Sequence, residues 1–470
     1  MAIFGKKKQN KQFKYPGLRM AMDGNAAVIM CEREASDAAG AFPITPSTDM
    51  GEYWAEEKSK GHINISGRPL IFVEPEGEHA AAAITAGMSM TGLRATNFSS
   101  SQGIAYMHES LYTAVGKRLP YVLNIACRAI TKATLNVHCG HDDYHCMDDT
   151  GFIQVFAKDN QEVADLNIIT RKVAELSLTP AAVAQDGFLT SHLIEDLQLP
   201  ERELIEEFLG SPEDIINCPT PAQRILYGDS RRRVPAIWDV DRPIMSGVVQ
   251  NQDSYMKGKI AQRWYYDQVE PAIEEAFQEF YRQTGRRYNL IEPYRCEDAE
   301  YVLVGIGSYM ETAQITVDYL REELGIKAGC LNIYCFRPFP ASQIVDVLKE
   351  CKAITVIERM DDPLSTTGNH LTREIKAAFF DAMNGQNGCA KIDSMPRIYH
   401  GAAGLGSRDV RPGDINAIFD NMINDGQDFF CVGIKHATAL APKEDPDLRP
   451  AGAFSMRGHS VGGFGSVTTN

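Results

Sequence analysis

The 470-residue sequence predicts an α/β protein built from two successive parallel-sheet domains, the first larger than the second. Three features lead there. From Asp23 to about Ser191 short apolar runs alternate with helical stretches, the pattern of parallel strands joined by crossover helices. A second, shorter alternation of the same kind begins at Tyr301 and closes near Val410. The chain is also too long for one core at roughly 100–200 residues per domain.

In the first unit AGAFPITP, PLIFVEPE, ATNFSSSQG, YVLNIACRA and TPAAVAQDGF each read as a strand running into a loop. Ligands of such a fold gather at the carboxyl ends of the strands. The loops there, ITPSTD, EPEGEH, SSSQG, CRAITK and DGFLTSH, are rich in ligand-holding groups. Residues from about 193 to 296 read as a connecting region, with charged helical text in DQVEPAIEEAFQEFYRQTG. Its basic run, Arg231, Arg232 and Arg233, reads as a solvated face or a subunit contact. The second unit runs through YVLVGIGS (301–308), AGCLNIYCFRPFP, AITVIERMDDP and PRIYHGAAGLGSRDV. GIGS passes straight into the helical METAQITVDYLREEL, and two readings stand: amides at the helix start hold an anion, or glycine makes a tight strand-to-helix turn. After Phe430 comes linker composition (APKEDPDLRPAG) and then a strand-glycine-helix opening, FSMRGHSVGGFGSVTTN. That segment reads as an unfinished domain or as a tail docked elsewhere, with a strand around Phe454 to Met456. Gly458, Gly462, Gly463 and Gly465 would make a backbone-amide loop suited to a phosphate.

Composition excludes several classes. A hydrophobic fraction of 44% and a charged fraction of 23% are those of a soluble globular protein. The net charge of -15 with no dominant basic block argues against nucleic acid or an anionic membrane as the main partner, and the cluster Lys6, Lys7, Lys8 and Lys11 reads as solubilising a loose N-terminus. No apolar run approaches the roughly 20 residues of a membrane span, and the first residues lack a signal-like apolar core, so the cytoplasm is the expected location. Eleven cysteines scattered from Cys31 to Cys431 show no disulfide-framework regularity and read as reduced. None lie in a C-x-x-C pair, so iron-sulfur clusters of ferredoxin type are expected on other chains. The stretch HCGHDDYHC gathers His138, Cys139, His141, His145 and Cys146, but its spacing fits no familiar structural-zinc pattern and no metal is expected there.

Several motifs occur in a fixed succession: DGN (23–25), FPITPST (42–48), EPEGEHAAA (74–82), SQG (101–103), CRA (127–129), GHDD (140–143), TGF (150–152) and DGFLTSH (186–192). GIGSYMET (305–312), FRPF (336–339), IER (357–359) and GLGSRD (404–409) follow. The ordered set resembles the first two domains of the pyruvate:ferredoxin oxidoreductase family, over about Asp23 to Phe430. The resemblance implies an N-terminal extension (1–22), a thiamine-diphosphate-binding-type parallel-sheet domain with its connecting region (23–260), and a smaller transketolase C-terminal-like α/β domain (261–430). Residues 431–470 would be a linker and the truncated start of a gamma-type domain. The implied activity is that of an alpha subunit in oxidative decarboxylation of pyruvate or a related 2-oxoacid to acyl-coenzyme A, with electrons passed to ferredoxin or flavodoxin.

The site residues follow from the same resemblance. Thiamine enzymes need a carboxyl group on one aminopyrimidine nitrogen. Glu74, Glu76 and Glu78 compete, and the family motif places this glutamate just before the small-residue helix, at Glu78. Ala80, Ala81 and Ala82 would let a flat ring come close. Arg128 matches the family's substrate arginine, suited by its planar fork to a 2-oxoacid carboxylate. Thr45, between Pro43 and Pro46, matches the substrate-contacting threonine. Ser101, Gln102 and Gly103 are expected to line the cofactor pocket. His141 and Asp142 sit where the family has DHQD, and GHDD departs from that pattern. Gly77 and His79 replace the usual serine and alanine; a histidine there would alter the proton affinity of Glu78 or admit another substrate.

No G-D-G followed about 25–30 residues later by N-N, the magnesium-diphosphate signature, is present. The diphosphate, Mg2+ and [4Fe-4S] clusters are therefore expected on partner chains: a beta subunit, with gamma and delta (ferredoxin-like) subunits or domains, and coenzyme A as co-substrate. Other readings are the same machinery acting on 2-oxoglutarate, oxalate or an aryl 2-oxoacid, a non-catalytic scaffold paralogue, and a transketolase or dehydrogenase partner chain without iron-sulfur chemistry.

Overall fold

The computed structural model describes residues 13–241 and 243–454. The lysine cluster at 6–11, Met456 and the glycines from Gly458 to Gly465 lie outside the described residues. Phe454, the last of them, is 86% exposed and in no strand.

The first sheet has seven strands in the spatial order Cys335–Arg337, Ile153–Ala157, Ala181–Asp186, Val122–Cys127, Ala95–Ser99, Ala38–Gly40 and Ile71–Val73. Six are mutually parallel and Cys335–Arg337 is antiparallel at the edge. The second sheet orders Ile291–Tyr294, Ala328–Ile333, Tyr301–Gly305, Ala353–Glu358, Arg397–Ala402 and Phe429–Cys431, again with one antiparallel edge strand, Ile291–Tyr294. Both sheets are thus parallel cores bounded by helices, as the alternating text predicts. No helix among the described residues is long and apolar enough to cross a membrane.

Two helices position the site. Glu78–Met90 is rich in small residues, and its Ala82, Ala86 and Met90 pack against Ile104, Met107 and Leu111 of Ser101–Gly116. Alanine on one side lets the second helix approach closely, so both helix starts lie together at the carboxyl ends of the strands. Asn160–Ser177 is buried through most of its length and is braced by Arg171–Glu32 at 2.7 Å and Arg94–Glu175 at 2.6 Å.

Three segments differ from the sequence expectation. Helix Val269–Thr284, which follows residue 260, packs on the first domain, because Val269, Ile273, Ala276, Phe277 and Phe280 form an apolar stripe that joins the core of Asn160–Ser177. The FRPF stretch leaves the second sheet: Phe156 N–H donates to Tyr334 O at 2.8 Å, and Cys335–Arg337 continues as the edge of the first sheet. Arg231 is not a solvated charge. It is 4% exposed and donates to Glu175 O at 2.7 Å and Leu176 O at 3.3 Å, satisfying carbonyls at the end of Asn160–Ser177.

Candidate active site

Glu78 opens its helix after Gly77, half-buried, with its side chain laid over Gly103. A Cβ at Gly103 would stand 2.8 Å from Glu78 Cγ and 2.4 Å from Ser99 Oγ, so glycine is what allows this approach. The Glu78 carboxylate makes no hydrogen bond or ion pair among the described residues, and Ser99 Oγ beside it is buried without a partner. Buried polar groups normally pair, so a half-buried carboxylate at a helix start beside a free hydroxyl fits a ligand that brings its own donor. Glu74 instead lines a separate 90 Å³ pocket with Phe42, Phe72 and Phe98, and Glu76 is exposed. His79 turns away from Glu78: its Nε2 lies 3.0 Å from Glu109 Oε2, and its ring lies against Tyr106.

Arg128, 7% exposed, follows the strand Val122–Cys127. Its Nη1 donates to Thr45 O at 2.8 Å and its Nε to Asn136 O at 3.1 Å, and burial lowers its pKa. The ITP loop is braced from below, because Asn25 Nδ2 donates to Pro46 O at 2.9 Å and the Thr45–Pro46 peptide is cis. Pro46 also rests on Gly187, where a Cβ would meet Cys127 O at 2.2 Å and Pro46 Cγ at 2.6 Å. The DGN and DGF motifs therefore serve the loop that carries Thr45.

Ser101 begins its helix at φ 49°, a conformation costly for a non-glycine residue, of order 1–3 kcal/mol. Asp143 holds it there. Fully buried, Asp143 accepts from Ser101 N at 2.7 Å and Arg128 N at 2.9 Å on Oδ2, and from Tyr144 N at 2.8 Å on Oδ1. Burial pushes Asp143 up to about 7 against the pull of these three N–H groups. Ser101 Oγ donates to Ala129 O at 2.8 Å and lies against the Gln102 side-chain amide, whose Nε2 donates to Thr131 Oγ1. One chain of contacts thus runs from Glu78 over Gly103, through Ser101 and Asp143, to Arg128 and Thr45. Asn25 and Gly187 lie inside the DGN and DGFLTSH motifs, but their roles do not follow from the sequence, and the doubled acid of GHDD does not say that Asp143 rather than Asp142 turns inward.

His141 faces elsewhere. Its Nε2 lies 2.7 Å from Asp186 Oδ1, and Asp186 Oδ2 accepts from Ser308 N at 2.7 Å and faces Arg359 Nε at 3.3 Å. The GIGS turn does hold an anion, the Asp186 carboxylate of the first domain. Gly307, at φ 96°, has no room for a Cβ, which would lie 2.7 Å from Asp186 Oδ2.

A parallel sheet whose loop ends bring a carboxylate without a partner among the described residues close to a buried arginine is built to hold a ligand. The chain matches the family "Pyruvate flavodoxin/ferredoxin oxidoreductase, thiamine diP-bdg" over residues 31–278 and "Pyruvate:ferredoxin oxidoreductase core domain II" over 299–415. It belongs to the pyruvate:ferredoxin oxidoreductase family. It is 32% identical over 409 residues to pyruvate synthase subunit PorA of Thermotoga maritima, covering 86% of this chain and 95% of that one. With PorA of Pyrococcus abyssi the identity is 33% over 398 residues, covering 84% and 91%. The pyruvate:ferredoxin oxidoreductase of Moorella thermoacetica is 29% identical over 457 residues, 96% of this chain but 37% of that longer one. A solved 2-oxoglutarate:ferredoxin oxidoreductase from Magnetococcus marinus superposes with TM-score 0.56 at 17% identity, covering 87% of this chain and 66% of that one, and supports the fold.

Proposed function

We propose that this chain, an alpha-type subunit of a pyruvate:ferredoxin oxidoreductase, holds the aminopyrimidine side of thiamine diphosphate and the carboxylate of pyruvate. A beta subunit supplies the diphosphate and Mg2+ side, with [4Fe-4S] clusters on partner chains. Gamma and delta subunits or domains, coenzyme A and ferredoxin or flavodoxin complete the reaction to acetyl-coenzyme A. The observation that carries this reading is the unpartnered Glu78 carboxylate over Gly103, tied through Asp143 to Arg128 and Thr45.

Thiamine diphosphate, when bound, supplies a thiazolium carbon nucleophilic toward the keto carbon of a 2-oxoacid. Glu78 holds a proton at an aminopyrimidine ring nitrogen, the role its free acceptor oxygens suit. Arg128, already spending Nε and Nη1 on Asn136 and Thr45 carbonyls, keeps its other terminal nitrogen for the substrate carboxylate. Thr45 presents its exposed hydroxyl on the same loop, and Ser101 and Gln102 fix the rim.

The test is Glu78→Gln in the reconstituted complex, read as pyruvate-dependent ferredoxin reduction. Turnover is expected to fall by about 100-fold or more with an unchanged melting profile, the worth of a positioned acid-base group. Glu74→Gln and Glu76→Gln should stay near wild type. A large loss at either of these with Glu78→Gln active would refute the assignment.

A further inference from the structure

Two places among the described residues gather three metal-ligating side chains. In the first, Cys139, His141 and Asp186, the Arg359 guanidinium and Ser308 already occupy the carboxylate, and a cation has no room in the charge balance. The second is His145, Asp148 and His370. His145 Nδ1 lies 3.2 Å and His370 Nδ1 2.6 Å from the same oxygen, Asp148 Oδ2, and all three ligand atoms lie within 4.8 Å of one another. The imidazoles are 4.8 Å apart at 31°. His145 closes the short helix Asp142–His145 of the first domain, whereas His370 opens the helix His370–Asn384 of the second.

We propose that His145, Asp148 and His370 form a binding site for a borderline divalent cation of the Zn2+ type. Two imidazole nitrogens and a carboxylate are a donor set of three-ligand zinc sites, whereas Mg2+ and Ca2+ call for oxygen alone. Metal bonds of roughly 2.0–2.1 Å in tetrahedral arrangement put ligand atoms about 3.3 Å apart. The His145–Asp148 separation meets that spacing, and the His370 side chain, 27% exposed, has freedom to swing outward and meet it too. The ligands are also oriented from outside. Gln154 Nε2 donates to Asp148 Oδ1 at 3.3 Å, and the Phe336 ring meets His145 edge-on at 4.8 Å. Arg337, the nearby cation, is balanced by Glu374 at 2.7 Å. His145 is nearly sealed and His370 faces solvent, so the fourth position would be taken by water.

A bound ion would tie the second-domain helix to segment 142–149, which includes Asp143 and so supports Arg128. The sequence hid this because His370 lies 222 residues from Asp148. The experiment uses the full chain, dialysed against a chelator and titrated with Zn2+ alone by calorimetry and thermal melting. One Zn2+ per chain, a higher melting temperature, weaker binding as pH falls, and about 100-fold weaker binding in His370→Ala and Asp148→Asn would support the site. His138→Ala, an exposed histidine of the same stretch, should bind as wild type. His370→Gln guards against a folding artefact: its zinc-free melting should match the wild type while zinc binding is lost. Absence of zinc binding, or equal affinity in the wild type and the His370 variants, would overturn the proposal.

Discussion

At the scale of single residues, Arg128, proposed to hold the substrate, is a supported group rather than a free charge. Arg128→Lys keeps a positive charge but loses the planar fork that reaches Thr45, Asn136 and a ligand together. The Michaelis constant for pyruvate should rise by about 10–100-fold, the worth of one or two hydrogen bonds to a charged group, while that for coenzyme A stays put. Equal increases for both would point to a folding role instead. Asp143 adds a pH dependence. Its ionised carboxylate accepts both Ser101 N and Arg128 N on one oxygen, and burial pushes its pKa from 3.8 up to about 7. Protonation below that value weakens the hold on Arg128, so the Michaelis constant for pyruvate should increase as pH falls through about 7 and become flat in Asp143→Asn. Stability runs the other way. Because the folded value lies above the unfolded one, the stabilising proton is fully held below about pH 4 and is lost as pH rises through about 7. The placing of Glu78, Thr45 and Arg128 on loops at the strand ends is legible because each sits at a fixed offset inside a motif. Asp143 was not, since which of two adjacent acids turns inward is decided by the short helix Asp142–His145 and not by residue type.

At the scale of elements, the two helix starts form one unit, and its glycines separate stability from activity. In Gly103→Ala the added carbon meets Ser99 Oγ and Glu78 Cγ, so the carboxylate must shift and turnover should fall by about 10-fold or more, since a misplacement of about 1 Å can cost about 100-fold. Gly87 lies in the same helix as Glu78 with nothing within 4 Å of its would-be Cβ. Gly87→Ala should raise stability by about 0.8–1.0 kcal/mol, the helix-propensity difference, and leave turnover unchanged. Paired melting curves and steady-state rates check both, and a Gly103→Ala enzyme of full activity would show that Glu78 tolerates displacement. The element text was readable wherever an apolar run ended in a polar loop, as at Ala95–Ser99 or Tyr301–Gly305. Ile153–Ala157 is not legible because it follows TGF without a loop of its own, nor is the pairing of Cys335–Arg337, because a strand's partner is chosen by tertiary packing.

At the scale of the whole chain, the two sheets are joined through Asp186. This carboxylate ends a first-domain strand, yet it is held by Ser308 N and Oγ at 2.7 Å each and by Arg359 at 3.3 Å, all from the second domain. Burial alone would raise its pKa, but Arg359 and His141 hold it well below the ordinary carboxylate range. Arg359 in turn donates to Gly404 O at 2.8 Å, and Gly406 N donates to Cys139 O at 2.7 Å, so the GLGSRD loop is clamped onto segment 128–140 that carries Arg128 and Asn136. Both motifs are legible in the sequence but their partnership is not, since an acid at residue 186 and an arginine at 359 share no local pattern. Asp186→Asn leaves a buried guanidinium without its counter-charge, which typically costs 3–5 kcal/mol. Denaturant unfolding followed by intrinsic fluorescence at neutral pH should show that loss, with the second domain separating in an earlier transition than the first. The sign with pH is fixed by the lowered value: the Asp186 contribution is present above about pH 4, the unfolded carboxylate range, and fades as pH falls below it. The gap in midpoint between wild type and Asp186→Asn should therefore narrow on acidification toward pH 3. A gap that stays constant from neutral pH to pH 3 would mean that the junction is held by packing rather than by this charge.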